Sequence, residues 1–130
     1  MRHVKANEWE SRLKSVFDRI DAKLEDSYGN RFKLHPSRPA EGTTSNPEMD
    51  GLFNVGASFS AGFGSEFGPG YVVDIRLSTL QRVPHELREE LRNKVKAWLE
   101  ELLPEAFPGR ELHVDQEGQH LRIHGDLNLD

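Results

Sequence analysis

The sequence predicts an α+β fold in which two amphipathic helices cover one face of a mostly antiparallel sheet of four or five strands. Two long segments repeat apolar residues at helical spacing, and two other regions alternate apolar and polar residues as strands do. The predicted order is helix, hairpin, helix, hairpin. Because a sheet with one apolar face needs a cover, we expect a two-layer sandwich formed by one domain over residues 1–130.

The first helix is predicted over residues 8–27. Its apolar positions recur three and four residues apart and therefore form one stripe. Asn7 followed by Glu10 resembles a capping box, and Gly29 stands where a left-handed terminating residue is favoured. The stripe consists of Trp9, Leu13, Val16, Phe17, Ile20 and Leu24.

Residues 30–50 change in character. A short strand is predicted over residues 31–34, followed by a long polar loop at about residues 35–50 that contains three prolines. Loops of this length in a compact domain are usually functional or disordered. We therefore treat this loop as a candidate site.

The first hairpin joins alternating segments over residues 52–61 and 71–78. Its connector, a Gly-rich loop at about residues 62–70, has four glycines and one proline and cannot be regular. The sequence therefore predicts two antiparallel strands with a long, irregular loop between them.

The second helix is predicted over residues 84–103. Pro84 suits the first helical turn, where its missing N–H is no loss, and Pro104 and Pro108 are expected to stop the helix. Its apolar stripe consists of Leu87, Leu91, Val95, Trp98, Leu99 and Leu102.

The last hairpin pairs residues 111–115 with residues 120–130, which alternate apolar and polar without a break. A four-residue turn over 116–119 would place Asp115 opposite His120 and His113 opposite Arg122. In either strand the polar residues share one face, which we call the outer sheet face.

Composition excludes several classes of function. The chain has 130 residues and no cysteine, so disulfides, thiolate metal sites and cysteine nucleophiles are excluded. It lacks the run of about 18 apolar residues that a membrane span needs. The net charge of −5 with interleaved signs argues against nucleic-acid partners and anionic membranes. We expect a soluble cytoplasmic protein.

The outer sheet face is the first candidate site. His120 and His124 are four residues apart on a strand, about 13 Å at roughly 3.3 Å per residue, which is too far to share one zinc ion. A metal would more readily take His113 with one of them and a carboxylate, but no established metal-ligand motif is present, so no metal is predicted. The simpler interpretation is a solvated face with cross-strand charge pairs. The candidate ligand-binding residues on this face are Asp74, Arg76, His113, His120, Arg122 and His124.

The Gly-rich loop is the second candidate site. It lacks the third glycine of a dinucleotide fingerprint and a Walker lysine, so no cofactor is predicted. Phe63 and Phe67 would make it an aromatic lid or a partner-binding finger. The alternative, which we favour, is that both rings fold back and close the end of the core. In the long polar loop, Arg38 with neighbouring hydroxyls is a third candidate, for a carboxylate or phosphate.

No catalytic motif is present, so the leading hypothesis is a non-catalytic interaction or oligomerisation module whose partner is another protein or a second copy. The alternative is a small-ligand- or metal-binding domain or an enzyme, with its site on the polar sheet face under the Gly-rich loop. That alternative requires the two loops to converge on the histidines. Single-stranded RNA binding ranks last, because the outer face offers no aromatic side chains for base stacking.

Overall fold

Over the described residues, the protein has an α+β fold of two helices and a four-stranded antiparallel sheet, which confirms the predicted class. A computed structural model describes residues 4–38, 40 and 51–127. Within those ranges, no helix is long and apolar enough to cross a membrane. The elements are α1 (Val4–Tyr28), β1 (Phe53–Ser60), β2 (Gly70–Leu77), α2 (His85–Ala106), β3 (Leu112–Glu117) and β4 (His120–Gly125).

The strands lie in the order β1-β2-β4-β3, and every neighbouring pair is antiparallel. β1 and β2 pair along their whole length, from Phe53 opposite Leu77 to Ser60 opposite Gly70. The two hairpins join where residues 70–73 of β2 pair with β4. The edges of the sheet are therefore β1 and β3.

The core lies between one sheet face and the two helices. α1 packs against β1 and α2, and α2 packs against β3 and β4. Ile20 and Leu24 of α1, Val95 and Leu99 of α2, and Ile123 of β4 have no exposed surface. The amphipathic stripes predicted from the sequence are thus the surfaces that meet the sheet.

α1 differs from its prediction at both ends. It begins at Val4, so Asn7 lies within the helix and not at the predicted N-cap position. Gly29 follows the last helical residue but does not adopt a positive φ. Its small size matters for another reason, because a Cβ there would lie 2.4 Å from the carbonyl oxygen of Glu25.

α2 continues past the predicted stop at Pro104 and ends at Ala106. Phe107 closes the last turn, since its N–H donates to the carbonyl of Leu103 at 2.8 Å. The ring of Phe107 stacks on Trp9 of α1 at a centroid distance of 4.2 Å. This buried contact holds the end of α2 against α1 and keeps the proline within the final turn.

The predicted strand at residues 31–34 is wrong, because those residues form a bend and irregular chain. The predicted strand from residue 120 ends early, at Gly125, whose φ of 119° is unfavourable for other residues. A side chain at Gly125 would also place a Cβ 2.4 Å from the carbonyl oxygen of Glu111. Residues 128–130 and most of the long polar loop lie outside the described residues.

The register of the second hairpin also differs by two residues from the prediction. Asp115 stands opposite Arg122, and His113 stands opposite His124. β3 extends to Glu117, and Gly118, with a φ of 64°, begins a two-residue turn. Because the shift is an even number of residues, the polar side chains keep their common face.

The core predicts a large difference between two leucine-to-alanine substitutions. Leu99 is fully buried, so Leu99→Ala should lower the free energy of unfolding by about 2–5 kcal/mol through lost burial and a cavity. Leu80 is 76% exposed, and Leu80→Ala should change it by less than about 0.5 kcal/mol. Urea unfolding followed by circular dichroism measures both. Similar losses in the two variants would contradict the placement of α2.

Candidate functional site

The structure brings the six predicted residues of the outer sheet face onto the side of the sheet that faces away from the helices. Their strand positions alternate with the core residues Val73, Leu121 and Ile123 in the observed registers. Asp115 and Glu117 of β3 lie on the same face. The predicted residues placed there are Asp74, Arg76, His113, His120, Arg122 and His124.

Arg122 is the buried centre of this face, with only 6% of its surface exposed. Its Nε donates to Glu117 at 2.8 Å, and its Nη1 donates to the carbonyl oxygen of Gly68 at 3.1 Å. A longer contact of 3.4 Å joins Nη2 to the hydroxyl of Ser60. The guanidinium therefore fastens the Gly-rich loop to β3 and to the end of β1.

Glu117 completes this attachment from the other side. Its second carboxylate oxygen accepts a hydrogen bond of 2.6 Å from the hydroxyl of Ser65, in the middle of the Gly-rich loop. The hydrogen bond from Ser65, followed by the one from Arg122, lowers the pKa of Glu117 below its ordinary value. The ionised carboxylate of Glu117 thus helps to hold the Gly-rich loop against β3.

The two aromatic rings of the Gly-rich loop have different environments, so the expectation that both close the core is wrong. Phe67 stacks on His124 of the outer sheet face at a centroid distance of 4.8 Å. Phe63 is 97% exposed at the tip of the loop. One ring therefore packs under the anchored loop, and the other faces solvent.

Two histidines of the outer face are oriented by carboxylates. His120 Nδ1 lies 2.7 Å from Asp74, and His124 Nε2 lies 2.7 Å from Asp115. The rings of His113 and His124 are 5.4 Å apart. These contacts fix imidazole orientation, as pairs of this kind do in many structural settings. Among the described residues, no three His, Asp or Glu side chains are arranged to hold a metal.

Arg38 does not join this face. Its Nε donates to the carbonyl oxygen of Gly51 at 3.0 Å, and the nearby His35 N–H donates to Ser78. Both contacts lie where β1 begins and β2 ends, whereas the Gly-rich loop connects the other ends of these strands. In the described part of the chain, the two loops therefore do not converge on the histidines.

A cavity of about 200 Å³ lies between α2 and the half of β2 that extends beyond β4. Asp74 and His120 border it, together with Arg92 of α2. Arg92 is largely buried and pairs with Glu89, and it also donates to the carbonyl oxygen of Gln119 at 3.4 Å. Through these contacts Arg92 ties α2 to the turn of the second hairpin.

The outer edge of β1 is a surface that the sequence reasoning did not identify. Over its first half, two carboxylates of α1 cover it: Glu25 accepts the N–H of Phe53 and Asp21 accepts the N–H of Val55, each at 2.8 Å. These N–H groups point away from β2. Because alternate residues of a strand point their backbone groups the same way, Ala57 and Phe59 also point outward.

Within the part of the chain that the structure describes, no carboxylate of α1 covers the second half of that edge in this way. Asp21 and Glu25 are one helical turn apart, and the next positions back along α1 are the buried apolar residues Phe17 and Leu13. No hydrogen bond from residues 4–38, 40 or 51–127 reaches the outward groups of Ala57. The same holds for Phe59. We call residues 57–60 the open half of β1.

A cavity of about 700 Å³ runs along β1 beside the open half. Ala57 and Phe59 border it from the strand, and Leu13 and Phe17 border it from α1. Phe59 is 61% exposed, and its one ring contact among the described residues is with Tyr71, at 5.7 Å between ring centroids. The helix layer thus leaves this end of β1 accessible to an extended chain.

The fold and these surfaces describe an α+β protein with an open strand edge. A protein-family model described as "Uncharacterised protein" matches residues 4–125, and the chain belongs to that family. The chain is also similar to a protein of Borreliella burgdorferi (strain ATCC 35210 / DSM 4680 / CIP 102532 / B31) described as "Uncharacterized protein". The two are 35% identical over 121 residues, which cover 93% of this chain and 94% of the relative. No solved structure matches the chain. Neither description assigns an activity.

Removing the guanidinium of Arg122 should release the Gly-rich loop. Arg122→Met leaves Glu117 and the Gly68 carbonyl without their donor, and we expect the free energy of unfolding to fall by about 1.5–3 kcal/mol. Hydrogen exchange of residues 62–69 should accelerate. Arg76→Met, on the same face but exposed, is the control and should leave both measurements close to wild type. Unchanged loop exchange in Arg122→Met would contradict the anchoring role.

The lowered pKa of Glu117 predicts acid sensitivity. Because the folded-state pKa lies below the ordinary value of 4.5, the ionised group stabilises the folded state fully above that value. The stabilisation is lost as the pH falls through the folded-state pKa. In Glu117→Gln, the deficit in unfolding free energy relative to wild type should therefore shrink below about pH 4.5. Ser65→Ala, which removes the largest cause of the shift, should show the same trend. A deficit independent of pH would contradict this account.

Proposed function

We propose that the protein is a non-catalytic interaction or oligomerisation module that joins polypeptide chains by strand addition to the open half of β1. Strand addition supplies affinity through main-chain hydrogen bonds and needs an exposed sheet edge beside space for side chains. With a net charge of −5, we propose a polypeptide partner in the cytoplasm rather than nucleic acid or a membrane.

The observation that carries the proposal is the division of the β1 edge. α1 supplies carboxylate acceptors for Phe53 and Val55 only, because the next positions back along the helix are apolar. Ala57 and Phe59 therefore present two N–H and two C=O groups outward. Backbone N–H and C=O groups that become buried need hydrogen-bond partners. An exposed strand edge therefore pairs readily with another strand. The cavity beside the open half provides room for such a strand.

The two sheet edges differ in a way that supports this choice. Proteins protect exposed edges with charges, prolines, bulges or short strands. β3 has six residues and carries Asp115 and Glu117, whereas β1 has eight residues and no charge or proline. The sequence of β1 thus lacks the features that discourage pairing.

Exposed aromatic side chains lie at the same end of the molecule. Phe59 is in the open half, and Phe63 follows three residues after β1 ends. The Gly-rich loop that carries Phe63 is fastened to the sheet by Arg122, so the ring is presented on an ordered support. Aromatic side chains at ordered surfaces are favoured anchors in protein interfaces.

The alternative of a ligand-binding or catalytic site under the Gly-rich loop has less support. Ser65 and Phe67 of the loop already contact Glu117 and His124 there. The described part of the long polar loop lies at the other end of the hairpin, so it does not provide the second wall that this alternative requires.

Strand addition can be tested with a synthetic peptide that repeats residues 53–60 and carries a terminal lysine for solubility. Adding it to isotope-labelled protein should shift the amide resonances of residues 57–61. Phe59→Lys should weaken binding by about tenfold or more, because a lysine on an edge strand opposes pairing.

Leu80→Lys is the matched control, since it also replaces an exposed apolar residue but lies outside the sheet. It should bind the peptide as wild type does. Absence of shifts in wild type, or equal loss in both lysine variants, would contradict strand addition at β1.

A further inference from the structure

We infer that the strand added to the open half of β1 is β1 of a second copy of this chain, paired antiparallel about a two-fold axis at Ser58. This inference rests on the proposed function and specifies its partner. It would join two four-stranded sheets edge to edge into one sheet of eight strands, with the helices of both copies on the same face.

The hydrogen-bonding groups set the register. In an antiparallel pair centred on Ser58, Ala57 stands opposite Phe59 of the partner copy, and the converse pair follows by symmetry. Both residues point their N–H and C=O outward, so each pair exchanges two hydrogen bonds. All the outward groups of the open half are then satisfied in both copies.

Other antiparallel registers within β1 fit less well. Shifting the pair by two residues toward the start of the strand would set Phe59 against Val55, whose N–H already binds Asp21. Shifting it the other way would set Ala57 against Ala61, beyond the end of β1. Centring on Ser58 is therefore the register that uses the uncovered groups of both copies and leaves the α1 contacts intact.

The side chains of β1 also suit a copy of themselves. On the helix side, the small Ala57 would face the large, exposed Phe59 of the partner copy, so the ring gains a neighbour without a clash. On the outer side, Gly56 and Ser58 are small and exposed.

Charge does not oppose the approach of two copies. β1 has no charged residue, and Glu10 and Lys14, which border the cavity from α1, have opposite signs. A two-fold axis would place Glu10 and Lys14 of one copy near the same two residues of the other copy, in the opposite order along the axis of α1. Neither copy therefore presents a block of like charge to the other.

Cysteine cross-linking tests the register, because the chain has no cysteine of its own. Ser58 would face Ser58 of the partner copy in a non-hydrogen-bonded pair, with Cα atoms about 4.5 Å apart. That separation lies in the range of disulfides, about 4.4–6.8 Å. Ser58→Cys should therefore form a covalent dimer when treated with oxidised glutathione.

Gly56→Cys is the matched control on the same face of the same strand. A Cβ at Gly56 meets nothing within 4 Å, so the substitution fits the fold. In the proposed register, two copies of residue 56 lie four residues apart along the strands, about 13 Å, which is too far for a disulfide.

We expect Ser58→Cys to cross-link at least about tenfold faster than Gly56→Cys, and addition of Phe59→Lys or dilution to remove the difference. Equal rates in a protein that still binds the β1 peptide would overturn self-pairing in this register and leave strand addition standing. Equal rates in a protein that does not bind the peptide would overturn both.

Discussion

The hydrogen bonds from the β1 backbone to Asp21 and Glu25 determine how α1 lies along the edge of the sheet. They align α1 antiparallel to the edge strand, because the later helical residue meets the earlier strand residue. Asp21 is almost fully buried, and a carboxylate tolerates burial when it accepts hydrogen bonds. One helical turn further back, Phe17 belongs to the core, so α1 cannot serve the remaining edge in the same way. The geometry that secures half of β1 therefore leaves the other half open.

A second group, the guanidinium of Arg122, organises the opposite face of the sheet. It links three segments that are distant in sequence: the end of β1, the Gly-rich loop and β3. The histidines that were candidate ligand-binding residues contact other side chains of the fold. Asp74 and Asp115 orient His120 and His124, and the ring of Phe67 stacks on His124. The outer sheet face therefore supports the Gly-rich loop and its exposed Phe63, and it does not form an open polar surface for a ligand under that loop.

Periodicity predicted both helices, both hairpins and the common face of the polar residues, because these depend on local spacing. It could not predict the strand order, which depends on how the two hairpins meet at residues 70–73. The open edge was missed for that reason, although the absence of charge in β1 was visible in the sequence. The register error at Asp115 arose because Gly118 starts a two-residue turn, which alternation alone does not distinguish from a longer one.

Residue-resolved hydrogen exchange across a dilution series distinguishes the two halves of the β1 edge. The amides of Phe53 and Val55 bind carboxylates of their own chain, so they should be protected at every protein concentration. The amides of Ala57 and Phe59 should become protected as the concentration rises, because their acceptors belong to a second copy. Rapid exchange of these two amides at every concentration would contradict self-association through β1.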